Sequence, residues 1–207
     1  MTMEIGFIQD AMVKYRISKY LNKELARAGF SRVEIQKTPV LTRITVYVLR
    51  PGLVIGRSGS SIDALTDNIK KLFLVENPQI SVVEVTNKML EPLLVAKDII
   101  FRLERGQNPR KIIQQTLKSI LENGAIGAEI IVGGKLAAKG AKARQIKKIV
   151  GYIPKAGNVT ELVLEGYAAA YPQYGAIGVK VRIVPAGTKF PDREVKQLEI
   201  PKAILHG

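Results

Sequence analysis

The stretch LRPGLVIGRSGSSIDAL, Leu49 to Leu65, sets two glycines, Gly56 and Gly59, three residues apart around Arg57 and Ser58. Val54 and Ile55 stand just before them. A helical pattern begins just after, with Ile62, Leu65, Ile69, Leu72 and Phe73 as its apolar stripe. Two physical reasons produce such a pair. Either the backbone needs the positive φ that glycine adopts freely, or something must approach the chain where a Cβ would obstruct it. Ser60 followed by Asp63 predicts a capping box at the helix start.

Working outward, residues 8–28 read as a helix ended by Gly29, with Ile8, Met12, Val13, Ile17, Leu21 and Leu25 at three- and four-residue steps. RVEI (32–35) and RITVYVL (43–49) alternate as strands, joined by a turn at Thr38–Leu41. QISVVEV (79–85) is a third strand. The order is helix, strand, strand, short helix, Gly-x-x-Gly, helix, strand.

The pattern resets near 87–91. Two helices are predicted next, Glu91–Arg105 and Pro109–Asn123. The second has Asn108 as N-cap and Pro109 in its first turn. Strands follow at AEIIV (128–132), within 144–153, at TELVLE (160–165) and at VKVRI (179–183). The fold class expected is α+β in two domains. Residues 1–88 form the first and 89–184 the second, with two helices packed on a mainly antiparallel sheet. Residues 185–207 read as a tail. The tetrapeptide Gly-Ala-Ile-Gly at 124–127 and 175–178 precedes a strand each time, and reads as two similar strand-entering turns rather than a repeat.

Charge separates this chain from an ordinary globular protein. Its 207 residues carry 32 Lys and Arg against 18 Asp and Glu, a formal +14. The first domain to residue 90 contributes +5, residues 91–184 contribute +8 and the tail +1. A surplus of this size speaks to polyanionic partners. Ile131 to Gly157 holds no acid while carrying Lys135, Lys139, Lys142, Arg144, Lys147, Lys148 and Lys155 among Ala and Gly. Seven like charges repel unless an anion sits among them, which points to a nucleic-acid backbone. Arg110 and Lys111 fall in the first turn of a helix, where cations oppose the dipole at about 0.3–1 kcal/mol each. A bound phosphate would reverse that sign. Lys180 and Arg182 share one face of the last strand, opposite Val179, Val181 and Ile183.

Other classes lose ground on composition. There is no Cys and one His, His206, so disulfides, thiol catalysis and Cys/His zinc sites are excluded and a Ser-His-Asp triad is discounted. Gly133-Gly134-Lys135 lacks Walker A spacing. MTMEIGFIQD does not read as a signal peptide, and the uncharged run Gly166–Val179 is too broken to span a bilayer. No catalytic residue, metal ligand, cofactor or membrane contact is expected.

The element order around Gly56 and Gly59 is that of the KH fold in its type II form, whose glycine loop clamps the backbone of about four nucleotides. More specifically, TPVLTRITVYVLRPGLVIGRSGSSIDALT, GAEIIVGGKL and YGAIGVKVRI closely resemble the small-subunit ribosomal protein three family, in its archaeal or eukaryotic form. The resemblance spans about residues 10–184. It implies a structural constituent of the cytoplasmic ribosome, in the head of the small subunit. It implies as partners ribosomal RNA, bound mostly through the second domain, messenger RNA at the channel where it enters, and neighbouring head proteins. A basic pair at the start of the second helix of domain two helps bacterial relatives unwind messenger structure; Arg110 and Lys111 occupy those positions, while Gln114 stands where the family has a further lysine. The RNA-binding residues expected are therefore Gly56, Arg57, Ser58, Gly59, Arg110, Lys111, Lys135, Lys139, Lys142, Arg144, Lys147, Lys148, Lys180 and Arg182.

Two alternatives stand beside this reading. A free KH-type RNA-binding regulator explains the glycine loop but leaves 131–157 idle. A DNA-repair lyase acting on abasic sites would need a lysine of lowered pKa to form an imine, and nothing in the sequence picks one out.

Overall fold

A computed structural model describes residues 3–38, 40–73, 75, 77–136, 142–173 and 175–191. The chain divides between Thr86 and Asn87 into two compact units.

The first unit begins with α1, Met3–Glu24, followed by β1, Phe30–Lys37, and β2, Thr42–Val48. The sequence predicts α1 through Ala28. The helix instead ends at Glu24, and residues 25–29 turn, closing with Gly29 at φ 75°. Leu25 and Ala28 stay buried within that turn, so the apolar period outlasts the helix itself. Thr38 and Leu41 close the hairpin, the Thr38 hydroxyl donating to the Leu41 carbonyl at 2.6 Å. The crossover from β2 holds α2, Pro51–Ile55, a 3-10 turn at Arg57–Gly59, and α3, Ser60–Phe73. It ends in β3, Pro78–Glu84, which runs parallel to β2 and leaves the sheet in the order β1-β2-β3. Ile44, Val46 and Val48 alternate into the core at 0% exposure, with Ile17 and Leu21 of α1 and Ile69 of α3 also buried. Tyr20 meets Phe73 edge-on at 5.8 Å, joining α1 to α3.

The second unit places α4, Pro92–Glu104, and α5, Pro109–Glu122, on a four-stranded antiparallel sheet in the order β5-β4-β7-β6. The strands are β4, Gly127–Gly134; β5, Arg144–Gly151; β6, Leu164–Ala170; and β7, Ile177–Val184. Ile99, Ile113 and Ile120 from the helices meet Ile130, Val132, Val179 and Val181 from the sheet in one core. The Asn108 carboxamide oxygen caps α5 by accepting from the Arg110 N–H at 3.0 Å, as its sequence predicts.

Two strands differ from expectation for identifiable reasons. β5 is an edge strand, so only Ile146 and Val150 lean on the core and its alternation is weak. The segment expected as a strand at 160–165 is a 3-10 turn over Asn158–Leu162, and β6 starts at Leu164 and runs into Gly-Tyr-Ala-Ala-Ala. Those small residues carry little strand propensity, yet α4 demands the first of them. A Cβ on Gly166 would fall on the backbone of Pro92 and Leu93. The expected tail is attached at its start: Phe190 is buried with Ile126, Ile153 and Val184, and meets Tyr152 edge-on at 5.2 Å. Residues 192–207 lie outside the described residues. No helix among the described residues is long and apolar enough to cross a membrane.

Candidate nucleic-acid interface

The two glycines of the opening stretch answer different demands. Gly56 ends α2 at φ 73°, ψ −172°, a conformation essentially reserved for glycine, with its N–H donating to the Gly52 carbonyl at 3.1 Å. A Cβ there would fall on the Ser61 hydroxyl. Gly59 has φ 84°, but its Cβ would point into open space, with only Asp63 Oδ2 within reach at 3.8 Å. Gly56 is therefore fixed by the fold. Gly59 leaves a clear approach from outside, beside an exposed Arg57 that has no ion-pair partner among the described residues. The Ser58 side chain lies outside the described residues. The predicted capping box does not form: Ser60 is already helical at φ −58°, ψ −33°, because the 3-10 turn runs straight into α3.

Gly56→Ala is expected to destabilise the first unit by about 3 kcal/mol through strain and overlap together. Gly59→Ala is expected to cost about 1 kcal/mol in folding while weakening RNA binding. Thermal melts paired with RNA titrations check both. Equal stability losses would remove the distinction between the glycines.

In the second unit the expected cations, Lys148 apart, separate into two sets. One set gathers at a single end of the unit. A cavity lined by Gly106, Gln107, Asn108 and Pro109 together with Leu136 and Ile177 brings the start of α5 beside the end of β4 and the start of β7. β5 begins at that end too, since Arg144 pairs with Gly134. Arg110, Lys111, Lys135, Lys142 and Arg144 therefore share this end, and none has an ion-pair partner among the described residues. Four of the five are exposed and Lys135 is half-buried. Lys139 falls between them in sequence, outside the described residues.

The other set lies on the sheet face turned away from the helices. Ala128, Ile130 and Val132 point to the helices, so Glu129, Ile131 and Gly133 point the other way. Register places Glu129 beside Arg182, and Arg182 beside Glu165. The next row is Lys147, Ile131, Lys180 and Tyr167. Ion pairs connect these rows: Lys147 Nζ lies 2.7 Å from Glu129 Oε1, Arg182 reaches Glu129 at 3.4 Å and Glu165 at 3.1 Å, and Lys180 meets Glu165 at 2.5 Å. Glu129 is fully buried. The Lys180 hydrogen bond, with Arg182 beside it, holds the Glu165 carboxyl below the usual carboxylate range.

These pairs correct the expectation that the cations of 131–157 are wholly uncompensated. Glu129 stands two residues before that segment, yet cross-strand pairing delivers its carboxylate to Lys147. The same alternation separates neighbours. Lys148, opposite Ile130, points to the helix-bearing side of the edge strand, while Lys147 points to the open face. Lys148 is exposed and has no ion-pair partner among the described residues.

Sequence reasoning passed over Glu129, Glu165 and Tyr167. An acid inside the apolar strand AEIIV, with basic strands to either side, was the available signal for the first. The lyase alternative asks for an amine of lowered pKa. Burial moves Lys97 on α4 in that direction, and packing on a helix flank is sufficient cause for it.

Comparison with known proteins now bears on this geometry. Residues 16–90 match the KH domain family, and residues 99–183 match the family described as ribosomal protein S3, C-terminal domain. The small ribosomal subunit protein uS3 of Methanocorpusculum labreanum is 41% identical over 194 residues, covering 93% of this chain and 83% of that protein. That of Methanoregula boonei is 39% identical over 211 aligned positions, covering 99% and 90%. With an N-terminal KH domain, a second domain of two helices on an antiparallel sheet, and relatives matched along nearly its full length, the chain belongs to the uS3 family of small ribosomal subunit proteins, in its archaeal form.

Proposed function

We propose that this chain is a structural, RNA-binding constituent of the small ribosomal subunit head in the cytoplasm, and that it helps form the channel through which messenger RNA enters. The observation that carries this reading is the gathering of Arg110, Lys111, Lys135, Lys142 and Arg144 at one end of the second unit without carboxylate partners among the described residues. Cations left unpaired in a folded domain repel one another at a cost that a phosphate backbone removes. Arg110 and Lys111 stand on the first turn of α5, a turn without an acidic residue, so helix dipole and side chains there attract the same anion. Gln114, one turn on, is exposed and uncharged, which limits the start of the helix to a pair of cations. The KH loop adds a second contact through Gly59 and Arg57.

Arg110→Glu combined with Lys111→Glu is expected to leave co-sedimentation with small subunits intact, because Lys135, Lys142 and Arg144 remain. It is expected to slow translation through a stable messenger hairpin several-fold. Unchanged passage through the hairpin would remove the messenger role. Failure of the unaltered chain to track small subunits in a sucrose gradient would remove the ribosomal one.

A further inference from the structure

The open sheet face of the second unit carries a depression of about 420 Å³ that the ion-pair network does not fill. Its lining includes Gly133, Arg144, Gln145, Tyr167, Gly178 and Lys180. Tyr167 is 62% exposed in the middle of a β-strand, although a solvent-facing aromatic there gives up the burial that normally favours it. Its ring leans across Gly178, where a Cβ would stand 3.0 Å from the phenolic oxygen and 3.4 Å from the ring. The phenol thus lies along the sheet with much of its surface to solvent. Beside it, Gly133 leaves the sheet bare, since a Cβ there would meet nothing within 4 Å. Gln145, paired with Gly133 across the strands, offers an amide donor and acceptor at the rim.

We propose that this depression holds one unstacked base of a single-stranded RNA segment, stacked on the solvent side of the Tyr167 ring and reaching over Gly133, with Gln145 at the base edge. Aromatic stacking accepts any base, whereas paired RNA keeps its bases within the helix. The site is therefore selective for single strands rather than for sequence. The inference rests on the RNA-binding reading above and adds to it a contact that salt does not screen.

The test uses the full chain with labelled single-stranded and hairpin-free duplex RNA in anisotropy titrations. Tyr167→Ala is expected to weaken single-strand binding about tenfold, the effect of losing one base stack, and to leave duplex binding and the salt slope unchanged. Tyr167→Phe should bind as the unaltered chain does. Gly133→Val fills the depression from a position with room for a side chain and is expected to reproduce the Tyr167→Ala loss. Chemical probing of small subunits carrying Tyr167→Ala, with and without message, assigns the source. A base newly exposed without message is ribosomal, and one exposed only with message belongs to the messenger. If Tyr167→Ala and Gly133→Val both leave single-strand affinity within twofold, or if duplex binding falls equally, the stacking site is overturned while RNA binding stands. If the unaltered chain binds neither RNA, the RNA-binding reading fails with it.

Discussion

Alanine at Lys135, Lys142 and Arg144 together is expected to weaken RNA binding about a hundredfold at moderate salt. It is also expected to reduce the slope of log affinity against log salt by about 2. Each phosphate contact releases about 0.7–0.9 of a counterion, so three lost contacts account for both figures. Alanine at Lys147 and Lys180 removes two cations of the same formal charge, yet its expected effect on the slope is small. Those ammonium groups sit 2.7 Å and 2.5 Å from Glu129 and Glu165, so a phosphate must displace a carboxylate before it gains anything from them. Equal slope changes in the two variants would show that the network opens on binding and that its cations serve the RNA after all.

Much of this distinction escapes a linear reading. The Asn108 cap, the Pro109 start and the alternation of Ile44, Val46 and Val48 act over a few residues, and the sequence displays them directly. The pairing of Glu129 with Lys147 spans eighteen positions and exists only because β4 and β5 lie side by side. Charge counted along the chain therefore registers an acid-free run where the folded sheet has a buried carboxylate. β6 was obscured for a related reason. Gly166 obeys the close approach of α4, and the glycine and alanines of this stretch gave no hint of strand. Gly56 and Gly59 look equivalent in the sequence, and only the positions their Cβ atoms would take tell them apart. The resemblance of the glycine stretch to its family was legible because it depends on residue identity. The division of cations into paired and unpaired depends on register.

Arg182→Met is expected to destabilise the second unit by about 3 kcal/mol and to lower its melting temperature by about 15 °C. Among the described residues, Arg182 is the one side chain that touches both carboxylates of the network described above. Without it, the fully buried Glu129 keeps, among the described residues, only Lys147, whose side chain is 43% exposed. A buried charge that loses a partner costs more than the pair contributed. Adding Glu129→Gln to Arg182→Met is expected to restore stability to within about 1 kcal/mol of the unaltered chain, because the charge and its partner leave together and Lys147 can turn to water. Acid titration separates the second carboxylate. The Glu165 carboxyl is held below its ordinary value of 4.5, by Lys180 first and Arg182 after it. Its contribution is therefore present above that value and lost as pH falls through the lower folded one. Lys180→Met should flatten this acid-side loss more than Arg182→Met does, in melts taken at descending pH. If the double variant melts no higher than Arg182→Met alone, the cost of the single change lies in lost packing of the Arg182 stem rather than in the stranded carboxylate.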